Sequence, residues 1–348
     1  MSQRVVFAYP GDLDLKTGGY GYDRQVIQGL RNLGWEVDTI GLGHGFPAPS
    51  AAVLENAERT LSALRDGTCV IIDGLAFGTM GAWAQRERDR LAIIALVHHP
   101  LALETGVAPA DRQRLKQSET SALAATRHVF VTSPATAREL AQNYAVPVER
   151  LTVAVPGTEK PTTAATADNG AVAILAVGSL TRRKGHDVLL DALAKLTDLD
   201  WTAKIVGSDT LDPPLAEELS RQIDRLDLTD RVQLTGEVGD LAAFYQQADV
   251  FALASRYEGY GMVFAEALAH GLPIIACRAG AIPEVVPREA GILVDVDDSQ
   301  AFSDALRHLI VDRAERIARS RASRDAGALL PDWIDTSRIF SRTLSELI

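Results

Sequence analysis

Cysteine is nearly missing from this chain of 348 residues: Cys69 and Cys277 are the only two, each inside an apolar run of strand character. Two such thiols without paired spacing exclude a disulfide framework and a cysteine-built metal site, and they predict a protein of the reducing cytosol. A surplus of basic residues is missing as well. The formal net charge of −11 excludes the basic footprint that a nucleic-acid binder requires. It leaves membranes open, because a small basic patch can sit on an acidic whole. Long apolar runs are also absent: a stretch such as 91–97 falls far below the ~18 residues of a spanning helix. The start runs straight into a strand with no basic-then-apolar leader, so the expectation is a soluble, cytoplasmic protein.

What the chain does hold is ordinary globular material, 47% apolar and 23% charged. Its length suits two α/β domains at roughly 150 residues each. Short apolar runs at 5–9, 37–40, 70–72, 92–97 and 129–132 read as buried parallel strands. Helical stretches at 22–33, 51–64, 76–88, 110–125 and 135–143 alternate with them. Segment 158–170 then breaks the texture: it is rich in Thr and Ala, has no large apolar residue, and reads as a linker. Beyond it the alternation restarts, with strands at 171–177, 202–206, 232–234, 250–253, 274–276 and 292–294. The accompanying helices fall near 186–196, 214–226, 241–247, 263–270 and 300–319. The pattern predicts two Rossmann-like, doubly wound α/β domains, residues 1–160 and 161–332, facing each other across a cleft. A last amphipathic helix, 333–348, either ends the second domain or crosses back onto the first; periodicity does not choose.

Several local patterns bear chemistry. Thr17-Gly18-Gly19-Tyr20 follows the opening strand, and consecutive glycines before a helix let backbone amides approach an anion, although a plain flexible loop has the same look. Gly41, Gly43 and Gly45 lack dinucleotide spacing and read as a turn. The acidic pairs Asp12/Asp14, Asp198/Asp200 and Asp295/Asp297 imitate metal sites, but such pairs arise by chance among 46 acidic residues, and no metal is expected. His98 and His99 close an apolar strand at its carboxyl end, where an imidazole can bond a sugar hydroxyl or a phosphate. In the second half, Gly178-Ser179-Leu-Thr-Arg182-Arg183-Lys184-Gly185 is a glycine turn and three cations before a helix, suited to a diphosphate. Further on, Glu258 and Glu266 frame a glycine-bearing loop, and two carboxylates suit the hydroxyls of a ribose and a hexose. Trp83 with Arg86, Arg88 and Arg90 is open to two readings, a membrane-facing edge or a solvated helix face, since Glu87 and Asp89 interleave.

Taken together, the cationic turn, Gly236-Glu237-Val238, the Glu258–Glu266 spacing and Gly280-Ala-Ile-Pro283-Glu284-Val resemble family-four glycosyltransferases of the GT-B fold. The resemblance implies a retaining hexose transfer from a nucleotide diphosphate sugar, a UDP-sugar by preference, to a hydroxyl acceptor, with no cofactor and no divalent metal. It places Lys184 at the diphosphate, with Arg182 or Arg183 covering for Ser179, which stands where the family carries arginine. Glu258 is implied at the transferred sugar, Glu266 at the ribose and Val238 beside the base. The loop residues Gly259, Tyr260, Gly261, Met262 and Val263 belong to the same donor set. Gly18 and Gly19 match the loop facing the diphosphate, and either His98 or His99 matches the histidine near the sugar. The catalytic set is thus His98, His99, Lys184 and Glu258, and the family's last helix packs back on the first domain. Acceptor contacts are expected from the first domain, at Tyr20, Tyr22, Arg24, Trp83 and Glu104, by position alone. A nucleotide-sugar epimerase and a non-catalytic sugar-nucleotide-binding partner are the alternative readings.

Overall fold

A computed structural model of the chain describes residues 3–104, 107–161 and 170–348. The expected linker, 158–170, lies largely outside these described residues. The chain divides into two compact units, Met1–Gly157 with Pro331–Ile348, and Thr158–Leu330.

In the first unit the order is β1 (Arg4–Tyr9), α1 (Gly18–Asn32), β2 (Glu36–Gly41), α2 (Ala51–Ser62), β3 (Cys69–Asp73), α3 (Gly74–Phe77), α4 (Gly81–Glu87) and β4 (Ala92–Val97). Then come α5 (Pro109–Ala124), β5 (His128–Val131), α6 (Pro134–Asn143) and β6 (Leu151–Val153). The second unit runs β7 (Val172–Val177), α7 (His186–Leu193), β8 (Trp201–Val206), α8 (Pro213–Arg225), β9 (Val232–Gly236), α9 (Ala242–Gln247) and β10 (Val250–Leu253). It continues with α10 (Met262–Ala269), β11 (Ile274–Cys277), α11 (Ile282–Val285), β12 (Gly291–Val294), α12 (Ser299–Val311) and α13 (Arg313–Ala328). The final helix, α14 (Trp333–Leu347), belongs to the first unit.

Among the described residues each unit carries one six-stranded sheet, in the orders β2-β1-β3-β4-β5-β6 and β12-β11-β10-β7-β8-β9. Every strand pairing is parallel. Strand order reverses between β1 and β3 in the first sheet and between β7 and β10 in the second. Such reversal points open a crevice at the carboxyl ends of the strands, where ligands of doubly wound sheets bind.

Both faces of the first sheet are dry. One face packs Val70, Ile72, Trp83 and Leu140; the other joins Phe7, Val26, Leu30 and Phe130 to Phe340 and Leu344 of α14. A capping box, with Asp332 receiving the Asp335 amide at 2.8 Å, starts α14 after Pro331. Thr336 Oγ1 then donates to Val155 O at 2.8 Å, and Phe340 stacks on Phe130 at 4.0 Å. Periodicity left two places for this helix; the aromatic stack and the hydrogen bond put it on the first unit.

Helix ends differ from the sequence expectation where a short polar side chain caps the backbone. Thr17 accepts the Tyr20 amide, so Gly18 and Gly19 form the first turn of α1 instead of a loop before a helix at 22. Asp73 takes the Leu75 amide at 2.7 Å and starts α3 early, and the expected helix 76–88 breaks into α3 and α4. Asp312 caps α13 in the same way and divides the expected helix 300–319. The short β6 and α11 carry too few apolar residues to show in the periodicity.

Candidate active site

The second unit gathers its charged motif residues at the reversal point of its sheet. The chain leaves β7 through Gly178 and Ser179, makes a tight turn at Arg182–Lys184, and enters α7 after Gly185. Gly185 has φ +64°, and a Cβ there would lie 2.0 Å from Ala254 O at the end of β10. Only glycine lets the cationic turn press against the neighbouring strand exit. His186 is buried, and its Nε2 donates to Gly178 O at 3.1 Å, tying the turn back on itself. Burial, chiefly, pulls this imidazole down to about 4, so it is neutral. Arg256, just past β10, donates to Arg182 O at 2.5 Å and pairs with Asp187 and Asp297, both at 2.7 Å.

The product of this scaffolding is a buried ionic cluster. Lys184 Nζ donates to Glu258 Oε1 at 2.7 Å, Arg183 Nη1 to Glu258 Oε2 at 3.0 Å, and Ser255 Oγ to Oε1 at 2.7 Å. Glu258 is 5% exposed. Burial alone would raise its carboxyl, but Lys184 and Arg183 outweigh that and hold it down at about 2. The sequence reading kept cations and carboxylate apart, cations for phosphate and glutamates for hydroxyls; the fold joins them because β7 and β10 are neighbours. A carboxylate with three donors has filled three of its roughly four lone-pair positions and keeps about one for a ligand. Two cations against one anion also leave the cluster positive.

The loop carrying Glu258 is held from below by the second glycine motif. Gly280, at φ +54°, would place a Cβ 2.2 Å from Glu258 O, and the next amide, Ala281 N, donates to that oxygen at 2.9 Å. Gly259 is half-buried, Tyr260 buried, and Gly261 precedes the first turn of α10, where Met262 and Val263 are half-buried. On the same helix Glu266 accepts the phenol of Tyr245 at 2.7 Å, and burial raises its carboxyl above the ordinary range. Tyr245 is itself stacked on His270 at 4.7 Å. Tyr245 and His186 support the site from apolar surroundings, and motif spacing alone did not mark them. Val238 lies half-buried beyond β9.

Arg182 is not part of the cluster. It turns outward to Glu218 at 2.9 Å, both side chains more than half exposed, so Arg183 is the arginine that accompanies Lys184 where Ser179 stands. Ser179 instead offers its backbone carbonyl to His186 at 3.3 Å.

In the first unit the reversal point between β1 and β3 assembles a second charged group. His98, following β4, places Nε2 3.2 Å from Asp23 Oδ1 on α1 and 3.2 Å from Asp73 Oδ2 at the end of β3. Gly19 sits against the same imidazole: a Cβ there would be 3.7 Å from His98 Cδ2. The Gly18-Gly19 turn and His98 therefore share one site, with Gly18 at its exposed side. His99 points elsewhere and meets Glu104 at 2.8 Å. Asp23 and Asp73 went unmarked in the sequence, because nothing in spacing joins 23, 73 and 98. Each of the three places a potential ligand atom within 4.8 Å of the others.

Other expected contacts are used inside the protein. Tyr22 is 1% exposed; it donates to Ala154 O at 2.7 Å and packs edge-on against His98, so it is a core residue and not an acceptor contact. Arg24 is drawn to the carbonyls of Leu13 and Leu15, bracing the loop after β1. Tyr20 is half-buried, and burial with Asp73, Asp23 and Asp12 nearby pushes its phenol up to about 12. Trp83 is fully buried with its indole on Ser62, so it is a core residue and is available neither to an acceptor nor to a membrane surface, and Arg86, Arg88 and Arg90 pair with Glu58, Asp89 and Asp66. Among the acidic pairs, Asp198, Asp295 and Asp297 face Arg307, Arg278 and Arg256. Among the described residues no helix is long and apolar enough to cross a membrane.

Residues 171–312 match the family model for glycosyl transferases group 1. The lipopolysaccharide core biosynthesis mannosyltransferase LpsB of Rhizobium meliloti is 33% identical over 150 residues, 41% of this chain and 42% of that protein. A D-inositol 3-phosphate glycosyltransferase of Pseudarthrobacter chlorophenolicus is 30% identical over 262 residues, 68% of this chain and 62% of that one. The matches thus span about four- to six-tenths of these relatives' length. In fold, Anabaena Alr3699/HepE, solved with UDP and glucose, matches 98% of this chain and 100% of its own at TM-score 0.76 and 18% identity. Its second unit thus matches the group 1, or family-four, glycosyltransferases in sequence over residues 171–312, and both units share the GT-B fold of the solved structures.

Proposed function

We propose that this protein is a retaining hexosyltransferase that moves a sugar from a nucleotide diphosphate sugar, a UDP-sugar by preference, to a hydroxyl acceptor. The observation that carries the reading is the buried Lys184–Glu258–Arg183 cluster at the β7/β10 reversal point, inside the segment that matches the family. Its surplus positive charge suits a diphosphate, which Lys184 and Arg183 meet. Glu258, kept ionised, is an acceptor-only group for hexose hydroxyls. Glu266, oriented by Tyr245, takes the ribose, and Val238 lies beside the base. The domain of 161–332 is the donor side, and that of 1–160 with 333–348 the acceptor side. The UDP complex of Anabaena HepE favours uridine, while a GDP-mannose-dependent mannosyltransferase of Mycobacterium tuberculosis among the relatives keeps guanosine as the rival base.

In the reaction the acceptor oxygen bonds to the anomeric carbon on the face from which the diphosphate leaves. The bond to the β-phosphate oxygen breaks, and that oxygen takes the acceptor's proton while Lys184 and Arg183 stabilise its charge. No enzyme nucleophile is used, so Glu258 is not a covalent catalyst. Buried free thiols at Cys69 and Cys277 suit a reducing cytoplasm.

A thermal-shift screen of UDP-, GDP- and ADP-sugars is the first test. A true donor at a hundredfold excess over Kd stabilises by about 2.7 kcal/mol. Lys184→Ala and Glu266→Ala are then expected to abolish transfer with unchanged circular dichroism. A fully active Lys184→Ala enzyme would sink the site assignment, and isomerised donor without acceptor would mark an epimerase.

A further inference from the structure

The Asp23–His98–Asp73 group lies at the reversal point of the first sheet, and its geometry is unusual for a lone histidine. Both carboxylates address the same ring nitrogen: Nε2 is 3.2 Å from an oxygen of each. Asp23 is fully buried, Asp73 nearly so, and Asp23 Oδ2 has no partner among the described residues. His98 Nδ1, by contrast, has no hydrogen-bond partner among the described residues, and the side chain keeps 20% of its surface exposed. The ring is fixed on its other sides. Tyr22 packs edge-on at 5.3 Å, Gly19 backs the Cδ2 edge, and Thr132 Oγ1 donates to the His98 carbonyl at 3.1 Å.

We propose that Asp23 and Asp73 are positioning residues that clamp His98 Nε2, so that His98 presents Nδ1–H to a substrate oxygen as a hydrogen-bond donor and never as a base. This deepens the transferase reading and rests on it for the identity of the substrate. The argument is one of charge. Two carboxylates out of water repel each other, and a neutral imidazole has one N–H to share between them. An imidazolium supplies that N–H together with a compensating positive charge, and its second N–H is then obliged to point outward. The charged and titratable groups around it are Tyr20, Tyr22 and Asp23 of α1, Asp12 before that helix, and Asp73 of β3. Burial pulls the imidazole down, yet the two aspartates outweigh it and hold His98 at about 10. Burial and Asp73 raise Asp23 to about 7. A histidine so held does not take a proton from an acceptor hydroxyl, which agrees with a leaving phosphate oxygen as the proton's destination.

The test is nitrogen NMR of the full-length protein labelled at its histidines, titrated from pH 5 to 9, with His98→Gln identifying the signal. Wild-type His98 is expected to keep imidazolium shifts at both nitrogens up to pH 9. Asp23→Asn and, separately, Asp73→Asn should each lower its midpoint by about one to three pH units. In transfer assays Asp23→Asn should raise the donor KM about tenfold or more with a smaller change in kcat. Asparagine at 73 retains a capping oxygen for α3, and Asp23→Asn stands by itself if that variant fails to fold. A wild-type His98 that titrates near pH 6.5 overturns the proposal, as does a stoichiometric metal ion bound by the three residues in the purified protein. The NMR readout needs no donor: imidazolium shifts in a protein that transfers no sugar would keep the clamp and remove only the transferase reading.

Discussion

Lys184, Glu258 and His186 show how one motif distributes binding and support. Lys184 and Glu258 stood out in the sequence because charged residues beside glycine turns are uncommon inside apolar strand exits. His186 was legible only as the start of a helix, since burial is not written in spacing. Its contribution is nonetheless measurable. The folded-state value of about 4 lies below the ordinary 6.5, so neutral His186 favours the fold above pH 6.5, and that stability is lost as pH falls towards 4. The full effect amounts to about 3 kcal/mol at 1.36 kcal/mol per pH unit. Urea unfolding at pH 7 and pH 5 should show wild type weakening on acidification, and His186→Asn should flatten that loss. An unchanged slope in the variant would assign the acid sensitivity to other groups.

At the level of elements, the site depends on how closely loops approach each other. Gly280 belongs to a motif that the sequence offered only as a family resemblance; its physical role is to let α11's entry press on the backbone of Glu258. Gly280→Ala combines a left-handed φ, roughly 1–2 kcal/mol, with overpacking of about 1–3 kcal/mol. The expected outcome is a lowered melting temperature together with weaker donor binding. Gly239→Ala is the control, because a Cβ there meets nothing within 4 Å. Equal behaviour of the two variants in calorimetry would remove the bracing role. Helix starts taught a related lesson. Strand and helix alternation was readable from hydrophobic period, but Thr17, Asp73 and Asp312 moved the boundaries through single side-chain hydrogen bonds, to which periodicity is blind.

For the whole molecule, the first unit is completed by residues far away in the chain. Phe340 and Leu344 of α14 fill the face of the first sheet beside Phe130, and Trp35 Nε1 donates to Ser341 at 2.9 Å. Phe340→Ala is expected to cost about 3–5 kcal/mol. Ending the chain at Leu330 should leave the first unit open to proteolysis while 158–330 keeps its protected fragment; a first unit equally resistant without α14 would refute its role in that core. The two-domain α/β plan was already implicit in the chain, because strand and helix periods and a run without large apolar residues are local properties of composition. So were the candidate cations and glutamates, which local pattern exposes. Three things were settled only when the sheets formed. They are the union of Lys184 and Arg183 with Glu258, the capture of His98 by Asp23 and Asp73, and the docking of α14. Each depends on strand order, which brings together residues from 25 to about 300 positions apart that no local period connects.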